Sequence, residues 1–209
     1  MVRVLLVDDH AVVRQGVARI LERSGRFEVV GEAQDGGAAL DLVAALPADI
    51  LVLDLDMPAG GVGLIPRLLA AAPGLRILVL SQHAERDFAL RCLEAGAWGY
   101  AGKDAGFEAI LAAMTRIASG RRYLSDRAQE LAIARLAGGP SGAAPHTTLS
   151  SRELEVLLEL ARGRRVKEIA ADLGISFKTV STYRTRILEK LDLESNVELA
   201  LYARDHGLL

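Results

Sequence analysis

Asp8 and Asp9, Asp54, Ser81 and Lys103 each stand at the end of a short apolar run: Val2–Val7, Ile50–Leu53, Leu75–Leu80 and Ala97–Ala101. Three carboxylates brought together repel one another unless a cation neutralises them, and hard oxygen ligands suit Mg²⁺. An aspartate beside a divalent ion is a nucleophile toward phosphorus. A lysine and a hydroxyl nearby stabilise the charge on a transferred phosphoryl group. A lone aspartate at a strand end is commonly a turn or cap residue. Four successive runs ending in this set of groups point instead to a phosphoryl-accepting site built around Asp54.

The segments between these runs say how the groups are positioned. The run around Asp54, Ala48–Pro58 (ADILVLDLDMP), is rich in branched aliphatics and bounded by Pro47 and Pro58, as a strand buried on both faces of a parallel sheet would be. Val2–Val7 and Phe27–Ala33 read likewise as strands. Apolar residues at helical spacing mark Ala11–Ser24, Gly36–Leu46, Leu64–Ala72, Glu85–Ala95 and Phe107–Ser119 as helices; the last carries Phe107, Ile110, Leu111, Met114 and Ile117. Strand and helix alternating five times predict a doubly wound, five-stranded parallel sheet, an α/β fold. Ligands bind such sheets at the carboxyl edge, where strand order reverses.

After Tyr123 the pattern changes. Asp126–Leu136 reads as one more helix, and Gly138–Thr148 (GGPSGAAPHTT) has the composition of a flexible linker. Leu149–Leu209 contains only helical patterns. Ser150 with Glu153 and Ser195 with Glu198 fit capping boxes, and Gly163, Gly174 and Gly207 fall at helix ends. Val166–Leu173, a turn, and Phe177–Leu191 form a helix pair. The second helix has Phe177, Val180, Ile187, Leu188 and Leu191 on one face and Lys178, Thr182, Thr185 and Arg186 opposite, with Arg184 inside the apolar stripe. Arg162–Lys190 holds eight Lys/Arg against three Asp/Glu. A helix with one anchored face and one basic, short-polar face is suited to a DNA major groove. Only Phe177 and Tyr183 are available for base stacking, which disfavours RNA. The expected organisation is residues 1–122, an α/β domain; 123–146, a helical segment and linker; and 147–209, an all-α four-helix domain.

Composition sets outer bounds. The 209 residues are 51% hydrophobic but 4% aromatic, so the core must be aliphatic, and a net charge of −2 makes any nucleic-acid surface local. Cys92 is the single cysteine, which fits a reducing compartment. No signal-peptide pattern and no run near the roughly 20 apolar residues of a spanning helix is present. A cytoplasmic protein without membrane attachment is expected.

Two sets of motifs resemble a known family. Val7-Asp8-Asp9, LVLDLDMP around Asp54, Ser81 after the fourth strand and GYAGK ending at Lys103 resemble the receiver domain of two-component response regulators, a flavodoxin-like fold. LSSRELEVLLELARG, KEIAADLGIS, KTVSTYRTRILEKL and NVELALYARDHGLL are similar to the LuxR-type helix-turn-helix. Together they resemble the NarL/FixJ class. The resemblance implies that Asp54 takes phosphate from a histidine kinase. It implies Mg²⁺ bound by Asp9 and Asp54 directly, by Asp8 through water, and by the backbone carbonyl of Asp56. Ser81 and Tyr100 become the switch pair. Ser181, Thr182 and Thr185 become base-facing, with Lys178, Tyr183, Arg186 and Lys190 at phosphates. Phosphorylation is then expected to promote a homodimer on an inverted repeat in promoter DNA, with RNA polymerase a further partner, and no enzymatic turnover is expected.

The chain departs from the family pattern at several points. Val62 stands where a glycine is usual and Gly63 follows, as a one-residue loop insertion would give. Asp56 adds a carboxylate beside the acceptor, and Gln82 is large and polar next to the switch serine; both are expected to alter phosphoryl lifetime. Arg164-Arg165-Val166 replaces a polar cap before the first helix of the pair, leaving the arginines to reach phosphate. His10 and His83 read as solvated residues, not ligands. Asp54-Leu55-Asp56 also fits the Asp-x-Asp of aspartate-dependent phosphatases, but Pro58 stands where those have Thr or Val. A receiver that binds DNA without phosphorylation is the alternative reading.

Overall fold

The computed structural model describes residues 1–82, 85–125, 128–130, 133 and 144–209. The chain divides into two compact units, Met1–Ala132 and Ile133–Leu209.

The first unit runs β1 (Val2–Val7), α1 (Ala11–Arg23), β2 (Phe27–Ala33), α2 (Gly36–Ala45), β3 (Ile50–Asp54), α3 (Leu64–Ala71), β4 (Arg76–Ser81), α4 (Glu85–Glu94), β5 (Gly99–Gly102) and α5 (Gly106–Ala118). All pairings are parallel, in the order β2-β1-β3-β4-β5. The order reverses between β1 and β3, the two strands that end in the aspartates. Every residue of β3 is buried, as its unbroken apolar run required. A core of Val4, Leu6, Ile50, Val52, Leu78 and Leu80 packs against Ile110, Met114 and Ile117 of α5. Arg76 ties the far end of this layer: its Nη1 donates to the Ile117 and Ala118 carbonyls at 2.9 and 3.1 Å, and its guanidinium lies 5.0 Å from the centre of the Trp98 ring. The Tyr123 N–H donates to the Trp98 carbonyl at 2.9 Å, so the chain remains attached to the sheet edge there.

Phe107 departs from the expected apolar face of α5. It is 58% exposed, because it lies in the first turn, where its ring crosses over Gly16 of α1.

The second unit contains α6 (Ser151–Ala161), α7 (Val166–Asp172), α8 (Phe177–Leu191) and α9 (Asn196–Asp205). Ser150 and Glu153 form the expected reciprocal capping box. Ser195 caps α9 through the Glu198 N–H, while the Glu198 carboxylate turns to the Glu194 N–H at 2.8 Å. Gly163, Gly174 and Gly207 all adopt positive φ at helix ends, the conformation glycine permits most cheaply. Leu154, Leu157, Ile169, Val180, Ile187, Leu191 and Leu199 form the interior.

The expected linker Gly138–Thr148 is corrected at its end. Pro145–Thr148 is a 3₁₀ turn, and His146 is 1% exposed. Its N–H donates to the Tyr202 hydroxyl at 3.2 Å, and its ring meets Tyr202 and His206 edge-on. Residues 138–143 lie outside the described residues. So does most of the expected helix Asp126–Leu136, of which residues 128–130 and 133 are helical. Among the described residues, no helix is long and apolar enough to cross a membrane.

Candidate phosphoryl-acceptor site and nucleic-acid interface

Strand ends β1, β3, β4 and β5 bring Asp8, Asp54, Ser81 and Lys103 to one edge. Asp54 is 1% exposed and Ser81 0%. Lys103 Nζ reaches Asp54 Oδ2 at 2.7 Å and Asp8 Oδ2 at 2.9 Å. The Asp56 N–H donates to Asp54 Oδ1 at 3.0 Å, and the His10 N–H to Asp8 Oδ1 at 2.8 Å. Arg14 holds the β1–α1 turn from outside, donating from Nη1 to the Asp8 carbonyl at 2.6 Å while its Nε meets Glu32.

Burial raises the Asp54 carboxyl above the ordinary carboxylate range; the Lys103 hydrogen bond and charge and the Asp56 N–H oppose that, and the Asp8 charge adds to it. Burial pulls Lys103 down, but its hydrogen bonds and ion pairs with Asp54 and Asp8 more than offset this, and its ammonium is held charged beyond the usual lysine range. The result is a buried nucleophilic oxygen pair with a fixed cation beside it, as phosphoryl transfer requires.

Asp8, Asp9, His10 and Asp54 place one ligand atom each within 4.8 Å of one another. Three carboxylates from two strand ends are a hard donor set and fit Mg²⁺. His10 was expected to be a solvated cap. It does occupy the N-cap position of α1, but its Nδ1 also lies 2.6 Å from Asp9 Oδ1, so its ring belongs to the acidic cluster. The run Asp8-Asp9-His10 was visible in the sequence; the turn that folds the ring back was not. His83 lies outside the described residues.

Ser81 Oγ donates to Asp56 Oδ2 at 3.3 Å. Tyr100 is fully buried on β5, paired with Val79. Gln82 is exposed beside Ser81. In the β3–α3 loop, Val62 is buried at 3% and Gly63 occupies the N-cap position of α3.

On α8, Lys178, Thr182, Thr185, Arg186 and Lys190 are exposed, and Ser181 and Tyr183 partly so. Phe177 is corrected: at 53% exposure it does not join the buried face of Val180, Ile187, Leu188 and Leu191, because it opens the helix beyond the reach of the interior. Arg184, within the apolar stripe, finds its partner in Asn196 Oδ1 at 2.6 Å. Lys190 Nζ is 2.7 Å from the buried Glu153 carboxylate. Arg164 is paired with Glu159 and Asp172, and these bonds raise its pKa; it is a structural clamp of the α6–α7 turn in this structure, not a residue extended toward phosphate. Arg165 and Lys167 remain exposed. The polar cap missing at α7 is supplied by Glu168, whose carboxylate accepts from the Arg165 N–H at 3.0 Å.

Residues 4–115 match the response regulator receiver domain, and residues 147–203 match the luxR family of bacterial regulatory proteins. The chain is 39% identical to the response regulator GacA of Pseudomonas aeruginosa, covering 100% of this chain and 98% of that one. It is 37% identical to the response regulator UvrY of Escherichia coli K12, over 100% and 96%. RcsB from Salmonella enterica serovar Typhimurium, bound to promoter rprA in the presence of the phosphomimetic BeF₃⁻, superposes with a TM-score of 0.77 at 29% identity, covering 96% of this chain and 97% of that chain.

Proposed function

Because the chain belongs to the response regulators of the NarL/FixJ class, a receiver domain joined to a LuxR-type DNA-binding domain that controls transcription, we propose that a phosphoryl group on Asp54 is what switches its binding to promoters. The observation that carries this reading is the buried Asp54 carboxylate with the Lys103 ammonium at 2.7 Å. In the reaction, an Asp54 Oδ–P bond forms as the P–N bond of a kinase phosphohistidine breaks, and the departing imidazole nitrogen retains the electron pair. Lys103 neutralises charge on the equatorial oxygens. Asp8, Asp9 and Asp54 would hold Mg²⁺, with the Asp56 backbone carbonyl as a further ligand; the ion supplies charge neutralisation at the phosphoryl oxygens. Ser81, 0% exposed at the end of β4, is the hydroxyl that turns to the phosphoryl group, with Tyr100 as its partner in the switch.

The output runs through α8. Ser181, Thr182 and Thr185 face base edges, and Lys178, Tyr183 and Arg186 position the helix on phosphates. One such module makes few base contacts, so a homodimer on an inverted repeat completes the site. RcsB occurs as dimers on DNA. Val197 and Leu201, exposed one turn apart on α9, provide apolar surface for such a pairing.

The test is mobility on a promoter library with and without a small-molecule phosphoryl donor and Mg²⁺, for wild type and Asp54→Ala. Donor is expected to tighten specific binding in wild type alone. Equal binding by both proteins regardless of donor would establish the phosphorylation-independent reading instead.

A further inference from the structure

The groove-facing threonines of α8 have already committed their hydroxyl hydrogens. Thr182 Oγ1 donates to the Lys178 carbonyl at 2.9 Å, and Thr185 Oγ1 donates to the Ser181 carbonyl at 3.2 Å. Both residues are exposed. A threonine hydroxyl turned back onto the carbonyl one turn earlier has no hydrogen left for an outside acceptor. What it still presents is an oxygen lone pair and a γ-methyl group. In the major groove, guanine offers only acceptors, which such a residue cannot satisfy, while thymine offers a methyl that an apolar group can contact.

Resting on the reading of α8 as the recognition helix, we propose that Thr182 and Thr185 select thymine by methyl–methyl contact. Three residues apart on a helix is roughly 4.5 Å along its axis, comparable with the roughly 3.4 Å between base pairs, so the two methyls address neighbouring pairs. The charged residues on the same exposed surface, Lys178 and Arg186, bind phosphate and add no selection of their own. The half-site recognised by this chain therefore contains thymine at positions whose C5-methyl groups are individually required.

The experiment begins with selection of the preferred duplex from a random pool by the full chain with a phosphoryl donor and Mg²⁺. Each thymine in the selected half-site is then replaced singly by deoxyuridine, which pairs identically and lacks the methyl. Burying one methyl contributes roughly 0.8 kcal/mol, or about a fourfold change in affinity. Wild type is expected to lose about that factor at one thymine for each threonine. Thr182→Ser, which keeps the oxygen and deletes the methyl, is expected to become indifferent to deoxyuridine at its position. Thr182→Val, which does the reverse, is expected to retain the discrimination; Thr185 is treated with the same pair. Both exchanges are at an exposed position, and far-ultraviolet circular dichroism of each variant checks that α8 is intact. A selected half-site without thymine, or wild-type binding indifferent to deoxyuridine at every position, would overturn the methyl readout while leaving DNA binding in place. Failure to enrich any sequence would overturn the recognition-helix reading itself, and the methyl readout with it.

Discussion

Lys190 Nζ lies 2.7 Å from Glu153 Oε2, the same oxygen that accepts the Ser150 N–H at 2.8 Å. One carboxylate thus caps α6 and anchors the last turn of α8. Burial raises the Glu153 pKa, but the Lys190 and Ser150 hydrogen bonds overcome it and hold the group below its ordinary value of 4.5. A carboxyl whose pKa is lowered by folding contributes stability above its unfolded value and loses it as pH falls through the folded value. Glu153→Gln is therefore expected to cost the second unit about 1 kcal/mol at neutral pH, with the deficit shrinking below pH 4.5. Urea denaturation followed by circular dichroism across this range would show it; a deficit independent of pH would assign the cost to packing alone.

The same pair bears on DNA affinity. A lysine held by an internal carboxylate must give that partner up to reach phosphate, whereas Lys178 is exposed in the first turn of α8. Lys178→Met is expected to lower the salt slope of DNA binding by about 1. Lys190→Met is expected to lower it by distinctly less, and to destabilise the second unit as well. Equal slopes for the two variants would place Lys190 on phosphate in the complex.

Divalent binding at the acidic cluster predicts a thermal signature. Mg²⁺ held by the folded receiver alone stabilises it by about 2.7 kcal/mol when present at a hundredfold over its dissociation constant. Calorimetry of the full chain is expected to show the receiver transition rising with Mg²⁺ in wild type and hardly moving in Asp9→Asn. A wild-type transition insensitive to Mg²⁺ would remove the metal from the site.

Ser81 is tied to a carboxylate that the neighbouring phosphoryl group would repel. The 3.3 Å contact from Ser81 Oγ to Asp56 Oδ2 must open before the hydroxyl can turn to Asp54. Asp56→Asn removes the repulsion and weakens the tie. The aspartyl-phosphate lifetime is expected to lengthen, by up to about tenfold, the factor that 1.4 kcal/mol represents. Decay after removal of a phosphoryl donor, followed on phosphate-affinity gels, measures this. Gln82→Ala, beside the serine and exposed, is the companion variant, and unchanged lifetimes in both would remove these residues from the control of hydrolysis.

Much of this architecture is legible without coordinates because its signals are local. β1, β2 and α8 begin and end where the apolar patterns place them, and Asp54 ends a strand whose every residue is buried. What is not legible is mostly contact between residues distant in sequence. Nothing near Lys190 announces that Glu153, in another helix, will hold it. Pro145–Thr148 has a linker's composition, yet His146 is buried because Tyr202 and His206 enclose it. Phe177 and Phe107 satisfy helical periodicity, but periodicity cannot say that a first-turn residue lies beyond the layer it would pack against.

The loop beside Asp54 supplies a prediction about backbone geometry. The Gly36 N–H donates to the Pro58 carbonyl at 2.9 Å, and a Cβ on Gly36 would overlap the Ala59 carbonyl oxygen. Ala59 itself has φ 54°, the left-handed region that costs an L-residue roughly 1–2 kcal/mol. Gly36→Ala is expected to destabilise the first unit by about 1–3 kcal/mol, as overpacking does, and Ala59→Gly to stabilise it by up to about 1 kcal/mol. Since the two residues touch, their effects should couple. Glycine at position 59 lets the loop yield to the new Cβ, so the double variant is expected to be more stable than the two single changes sum to. Additive free energies in a denaturation cycle would mean that the clash is relieved on the α2 side instead, with the loop that carries Asp56 unmoved.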